Sequence, residues 1–230
     1  SDDSPITTLS DLRGKRIGLS GWQDSGNTWT RALLLEAGVP VDSIQWTLSR
    51  MTAADRIDPE RGKQFWDDRV VLHDPDETPL VDLLKAGKID AIFQAFMPAD
   101  FYSEGYGLRQ LQPDFVSQEK AWFGRAGFGI HILAMKADFI AAHPEAPRQL
   151  CELLRASQNL WLAKRRKYFE TTPWLIADLI DMAKSLPEDW DPVGLEPKRR
   201  MLDEFARQQY LQKLTPVQRD ADFLFPVKTI

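Results

Sequence analysis

The periodicity of apolar and polar positions changes several times along this chain, and each change marks an element. Ile17-Gly18-Leu19 is a short apolar run that reads as a strand, and it opens into small and polar residues from Ser20 to Gly26. A helix is predicted from about Ser25 to Ala37, closing on Gly38. Ile44 to Leu48 alternates like a half-buried strand, and Arg69-Val70-Val71-Leu72 is a third candidate. Thr78 to Ala86 places Leu80, Leu83 and Leu84 at helical spacing and stops at Gly87. Ile89 to Ala95 is a fourth strand, as continuously apolar as a parallel strand buried on both faces. Thr8 to Arg16 and Val39 to Ser43 read as short turns, and Thr52 to Gly62 as a polar, irregular stretch. This succession predicts an α/β fold with a doubly wound lobe over residues 10–98.

The second half has a different rhythm. Tyr102 to Gly107 is a turn-rich connection, and Phe128 to Met135 is an apolar run predicted as a return strand. A short helix, Phe139 to Ala142, is interrupted at His143-Pro144. From Pro147 onward Leu150, Leu153, Leu154, Leu160 and Trp161 repeat at three-and-four spacing, and Leu175, Ile176, Leu179 and Ile180 do the same after Pro173. Pro187 to Pro197 reads as a loop and Arg199 to Gln209 as a last helix before a poorly structured tail. Residues 99–230 are thus expected to be mainly helical.

In a doubly wound sheet, ligands meet the loops at the carboxyl ends of the strands. Ser20 to Ser25 and Gln94 to Pro98 should therefore line one crevice. The helix that begins near Ser25 leaves unpaired amides and partial positive charge at its mouth, which suits an anion. Ser20, Gly21, Gln23, Ser25, Asn27 and Gln94 are small or hydrogen-bonding, whereas Trp22 and Phe96 add flat apolar surface. A small carboxylated or aromatic molecule fits that set. An ordinary capped helix with packing tryptophans fits the same spacing, so both readings stand on the residues alone. The loop has neither Gly-x-Gly-x-x-Gly nor Gly-Lys-Ser/Thr, which argues against nucleotide phosphate.

Composition narrows the classes. The 230 residues carry a net charge of −5 and are 43% hydrophobic, a normal share for a globular protein. The two basic tracts, Lys164 to Lys167 and Lys198 to Arg200, have acidic neighbours, so no nucleic-acid partner is expected. Cys151 has no cysteine to pair with and falls in an apolar helix pattern, predicting a buried thiol. No apolar run is long enough for direct membrane insertion. His73, His131 and His143 lack the spacing of metal ligands, and no metal is proposed. His131 lies in the predicted return strand, where its near-neutral titration suits proton transfer.

Asp11-Leu12-Arg13-Gly14-Lys15-Arg16-Ile17-Gly18, Trp22-Gln23, Trp29-Thr30-Arg31 and Leu83 to Ala91 resemble the 4,5-dihydroxyphthalate decarboxylase-like branch of the type II periplasmic-binding-protein superfamily. Pro98, Pro113-Asp114-Phe115, His131, Asp138, His143-Pro144, Gly194-Leu195-Glu196 and Arg199 extend the resemblance over nearly the whole chain. It implies a bilobed clamp closing on a small molecule, with residues 10–98 as one complete lobe. Residues 99–230 would then be the hinge and helical part of a second lobe whose N-terminal portion is missing here. Two functions follow from it: capture of a small aromatic or carboxylated solute, or decarboxylation of a dihydroxy aromatic acid without a cofactor, with His131 as catalytic proton donor. A truncated, non-catalytic relative is the third possibility. A solute receptor implies the periplasm and a membrane permease as partner, and a decarboxylase implies the cytoplasm. The chain departs from the branch at Phe96, where an arginine is common, and at Gly21, where an acidic residue is. These departures favour binding over turnover.

Overall fold

The computed structural model describes every residue except 59, 61–62, 66–69, 72–77, 113, 126, 128, 165–166, 168–172, 187–189 and 228–230. The chain forms two compact units, Ser1–Phe115 with Arg207–Gln218, and Val116–Ala206 with Arg219–Ile230.

The first unit is α/β. Strands β1 (Arg16–Leu19), β2 (Gln45–Leu48), β3 (Val70–Val71) and β4 (Ala91–Phe93) form a parallel four-stranded sheet in the order β3-β2-β1-β4. Helix α1 (Ser25–Glu36) connects β1 to β2, and α2 (Leu80–Lys85) precedes β4. Glycine ends both helices in the left-handed region, with φ +74° at Gly38 and +67° at Gly87. There the next amides turn back onto the last helical turn, Val39 to the Leu34 carbonyl and Lys88 to that of Leu83.

Register decides which side chains share a face. Ile17 stands opposite Trp46 and Ala91, and Leu19 opposite Leu48 and Phe93, so these residues project together. They join Trp22, Leu34 of α1 and Leu214 in one buried cluster. On the other face Gly18 leaves room for α2. A β-carbon at position 18 would lie 2.6 Å from Leu80 Cδ2 and 2.8 Å from Ile89 Cδ1. Met51, Leu80, Val81, Leu83 and Ile89 form this second cluster. At the amino-terminal ends of the strands, Arg16 and Asp90 form an ion pair at 2.8 Å. Of the third strand expected at 69–72, Val70–Val71 is seen, while 69 and 72 lie outside the described residues.

The second unit is helical among its described residues. It contains α3 (Phe115–Arg125, whose first residue belongs to the other unit), α4 (Ala137–Ala142), α5 (Ala146–Lys164), α6 (Leu175–Ser185), most of α7 (Leu195–Leu211) and α8 (Ala221–Leu224). Three expectations change here. Residues 129–136 contain no strand, and Phe128 lies outside the described residues. Among its described residues the tail is structured: Leu214 enters the core of the first unit, and Asp220 caps α8 by accepting from the Phe223 amide at 2.8 Å. Cys151 is half-buried on α5, not sealed in a core. No helix among the described residues is long and apolar enough to cross a membrane.

Candidate functional site

Strand order reverses at β1. The chain lays β2 and β3 to one side of it and β4 to the other, so the carboxyl ends of β1 and β4 border the topological switch point. A cleft of about 180 Å³ opens there, wholly within the first unit. Ser20 follows β1 and Gln94 follows β4, and the Ser20 hydroxyl donates to Gln94 Oε1 at 2.9 Å. Gly21 and Gln23 continue the wall, and Leu48, Arg50, Met51 and residues 55–58 close it from the β2 side.

The loop from Gly21 to Asp24 is held from beneath by α1. Asn27 is buried and donates from Nδ2 to the Gly21 carbonyl at 2.7 Å. Arg31 is completely buried, and its Nη2 donates to the Trp22 carbonyl at 2.7 Å while Nε donates to Gln212 Oε1 at 2.7 Å. Its guanidinium lies 4.1 Å over the Trp22 ring. Burial pushes the Arg31 pKa down, and the negative charge of Asp24 opposes this. A β-carbon at position 21 would come within 2.2 Å of Asp24 Oδ2, so the Asp24 carboxylate fills the space beside the Gly21 α-carbon.

The cleft's own charges are Arg50, Arg56, Asp55 and Asp58. Both carboxylates are engaged locally. Asp55 Oδ2 accepts from the Thr52 amide at 2.8 Å and its hydroxyl at 2.7 Å, and Asp58 Oδ1 accepts from the Glu60 amide at 3.0 Å. Arg56 has no ion pair among the described residues. Gln23 Oε1 is buried without a hydrogen-bond partner among them, so an acceptor stands ready at the wall. Two cations, an unsatisfied acceptor and the Gln94 amide suit a small molecule carrying both carboxylate and hydroxyl groups.

Of the residues singled out from sequence, Ser20, Gly21, Gln23 and Gln94 line this cleft. Trp22 does not. Its ring is 3% exposed and packs edge-on against Trp46 with centroids 5.4 Å apart, because the loop turns residue 22 inward between two wall residues. Asn27 acts on the loop from below, and Ser25 opens α1 without touching the cleft. Phe96 is 81% exposed and lies outside the cleft lining. His131 is exposed, in the second unit. His143 is also exposed, its ring 4.9 Å from that of Phe139, and His73 lies outside the described residues. Sequence reasoning missed Arg50, Arg56 and their neighbours, which fall in a stretch read as irregular. Arg50 stands two residues beyond β2, the same kind of position that marked Ser20 and Gln94. No cluster of three metal-ligating side chains exists among the described residues.

No family model matches the chain. It is similar to the 4,5-dihydroxyphthalate decarboxylase of Comamonas testosteroni, 23% identical over 219 residues that cover 93% of this chain and 66% of that protein. It is also similar to the 4,5-dihydroxyphthalate decarboxylase of Pseudomonas putida, 29% identical over 123 residues, 53% of this chain and 47% of that protein. The chain thus spans about half to two thirds of the length of the curated relatives it matches.

Proposed function

We propose that this chain binds a dihydroxylated aromatic dicarboxylate of the 4,5-dihydroxyphthalate type in the first unit's cleft and takes part in its decarboxylation. The observation that carries the reading is the pairing of Arg50 and Arg56 with the unsatisfied Gln23 acceptor at the switch point of the sheet. Guanidinium groups bind carboxylates in a fork, and Gln23 Oε1 accepts from a ring hydroxyl. Two relatives named for this substrate support the assignment of substrate class.

The chemistry asks little of a cofactor. A proton adds to the ring carbon that bears the departing carboxylate, the bond to that carboxylate breaks with release of carbon dioxide, and the electron pair returns to restore the ring. Each carboxylated carbon is para to a hydroxyl, which feeds density to the protonation step. Protein groups hold the second carboxylate, orient the hydroxyls and supply the proton. The cations that the decarboxylase-like branch draws from the position of Phe96 come here from the β2 side, at Arg50 and Arg56. Asp24, beside Gly21, offers a carboxylate where that branch carries one. The source of the proton is tested by substitution, His131 included.

Incubation of the full chain with 4,5-dihydroxyphthalate should deplete its ultraviolet band and yield one equivalent each of carbon dioxide and 3,4-dihydroxybenzoate. His131→Ala should abolish turnover without loss of binding. Binding with no product identifies instead a solute-binding protein, the reading that Phe96 favours. Neither binding nor product refutes both.

A further inference from the structure

We propose that the second unit is a docking surface for a further stretch of polypeptide, the counterpart of the part of the Comamonas testosteroni protein that lies outside the match. This stretch adds a strand along residues 131–135 and packs on the apolar stripes of α5 and α6. The second unit has helices but little core. Among its described residues the buried apolar side chains are Trp122, Pro147, Met201, Ala206 and Ala221. On α5, Leu153 and Leu154 recur seven residues on as Leu160 and Trp161, which puts all four on one side of the helix, the side that a globular protein buries. Here all four are exposed. The rest of the unit meets the polar side of the same helix, where Arg155 Nη2 donates to the Val193 carbonyl at 3.4 Å and Gln158 Nε2 to that of Asp191 at 2.8 Å. Helix α6 repeats the inversion in part: Leu175, Leu179 and Met182 are half-buried, while Ile176 and Ile180 stand exposed.

Residues 131–135 present the matching backbone feature. Ile132 is 69% exposed and Leu133 64%, and no N–H or C=O of His131 to Met135 is hydrogen-bonded among the described residues. An apolar run with unpaired backbone is the kind of edge to which an extended segment adds. The surface sets the size of the occupant. Two separate folded units of about half the chain's 26.3 kDa each would expose about 12,800 Å² together, whereas this chain exposes 15035 Å² to solvent. The excess is about 2,200 Å², even with the two units counted apart. A standard interface with a preformed partner hides about 800 Å² on each side, so a second folded copy docked in that way leaves most of the excess uncovered. A segment that folds onto the unit covers it. A relative holds such a length of chain: the 219 matched residues are 66% of the Comamonas testosteroni decarboxylase, so about 110 of its residues lie outside the match.

The test mixes the full chain with the part of the Comamonas testosteroni protein outside the match. Light scattering should give a one-to-one complex. The amides of His131 to Met135 should exchange freely in the chain alone and slow at least tenfold in the complex. Ile132→Lys and Leu160→Glu, at exposed positions of the second unit, should leave the chain's melting point unchanged and weaken the complex at least tenfold. Leu35→Gln, at an exposed position of the first unit, should leave the complex intact. A dimer of the chain alone with those amides already protected overturns the proposal in favour of a second copy. A monomer that does not bind the segment, or binds it with no response at residues 131–135, overturns it outright.

Discussion

Asp90→Ala separates the stabilising end of the sheet from the binding end. Asp90 Oδ2 accepts from the Arg16 amide at 2.8 Å and from its Nε at 3.0 Å, and Oδ1 accepts from Nη2 at 2.8 Å. The Arg16 side chain is 41% exposed and that of Asp90 25%, so the charge pair itself is worth about 1 kcal/mol, the upper range for a surface pair. Loss of the acceptor for the half-buried Arg16 amide adds about 1 kcal/mol. Alanine should therefore cost about 2 kcal/mol and lower the melting point of this unit by about 8 °C, at roughly 4 °C per kcal/mol for a unit of this size. Asn keeps an oxygen for the amide and should cost about half as much. Hydrogen bonds from Arg16 hold the Asp90 carboxyl below the usual carboxylate range, against the opposing effect of burial. A carboxyl with a depressed folded pKa contributes stability above its unfolded value, near pH 4, and loses it as pH falls through the folded value. Thermal unfolding followed by circular dichroism should accordingly show the gap between wild type and Asp90→Asn closing below about pH 4. A gap that does not narrow as pH falls below about 4, or a change in ligand affinity in Asp90→Ala at pH 7, would refute the reasoning, because the pair stands at the strand ends opposite the cleft.

Two further outcomes follow from packing. Trp46 is fully buried between Trp22 and Phe93, with ring centroids 5.4 and 5.9 Å away, and its Nε1 donates to the Val41 carbonyl at 2.9 Å. Trp46→Ala should destabilise the first unit by about 3–5 kcal/mol in urea titrations, and a cost under about 1 kcal/mol contradicts this core. Gly21→Ala places a methyl group 2.2 Å from Asp24 Oδ2 and must push that carboxylate aside at the cleft wall, so calorimetry should show reduced affinity with little change in melting point.

The first hundred residues were legible because their signals are local. Short apolar or alternating runs gave the positions of the four strands of the sheet, and position past a strand end gave Ser20 and Gln94. Trp22 misled, since a tryptophan between two cleft-lining residues faces the cleft or the core according to one backbone turn, set by Arg31 and Asn27 far from any sequence pattern. Arg31 is completely buried against Gln212, a partner 181 residues away that no local pattern could supply. Helix α3 escaped detection because its apolar residues Phe115, Val116, Trp122 and Phe123 leave the middle of the segment polar. The run at Phe128 to Met135 has a strand's composition, but a strand also needs a pairing partner, and composition cannot supply one.

The most direct test of the account is calorimetric titration of 4,5-dihydroxyphthalate into the wild type and the double variant Arg50→Gln, Arg56→Gln. Loss of charged hydrogen bonds worth about 1.5–3 kcal/mol each should weaken binding by at least tenfold in the variant. Equal affinity in the two proteins, or heat of binding in neither, contradicts a carboxylate site at the end of this sheet.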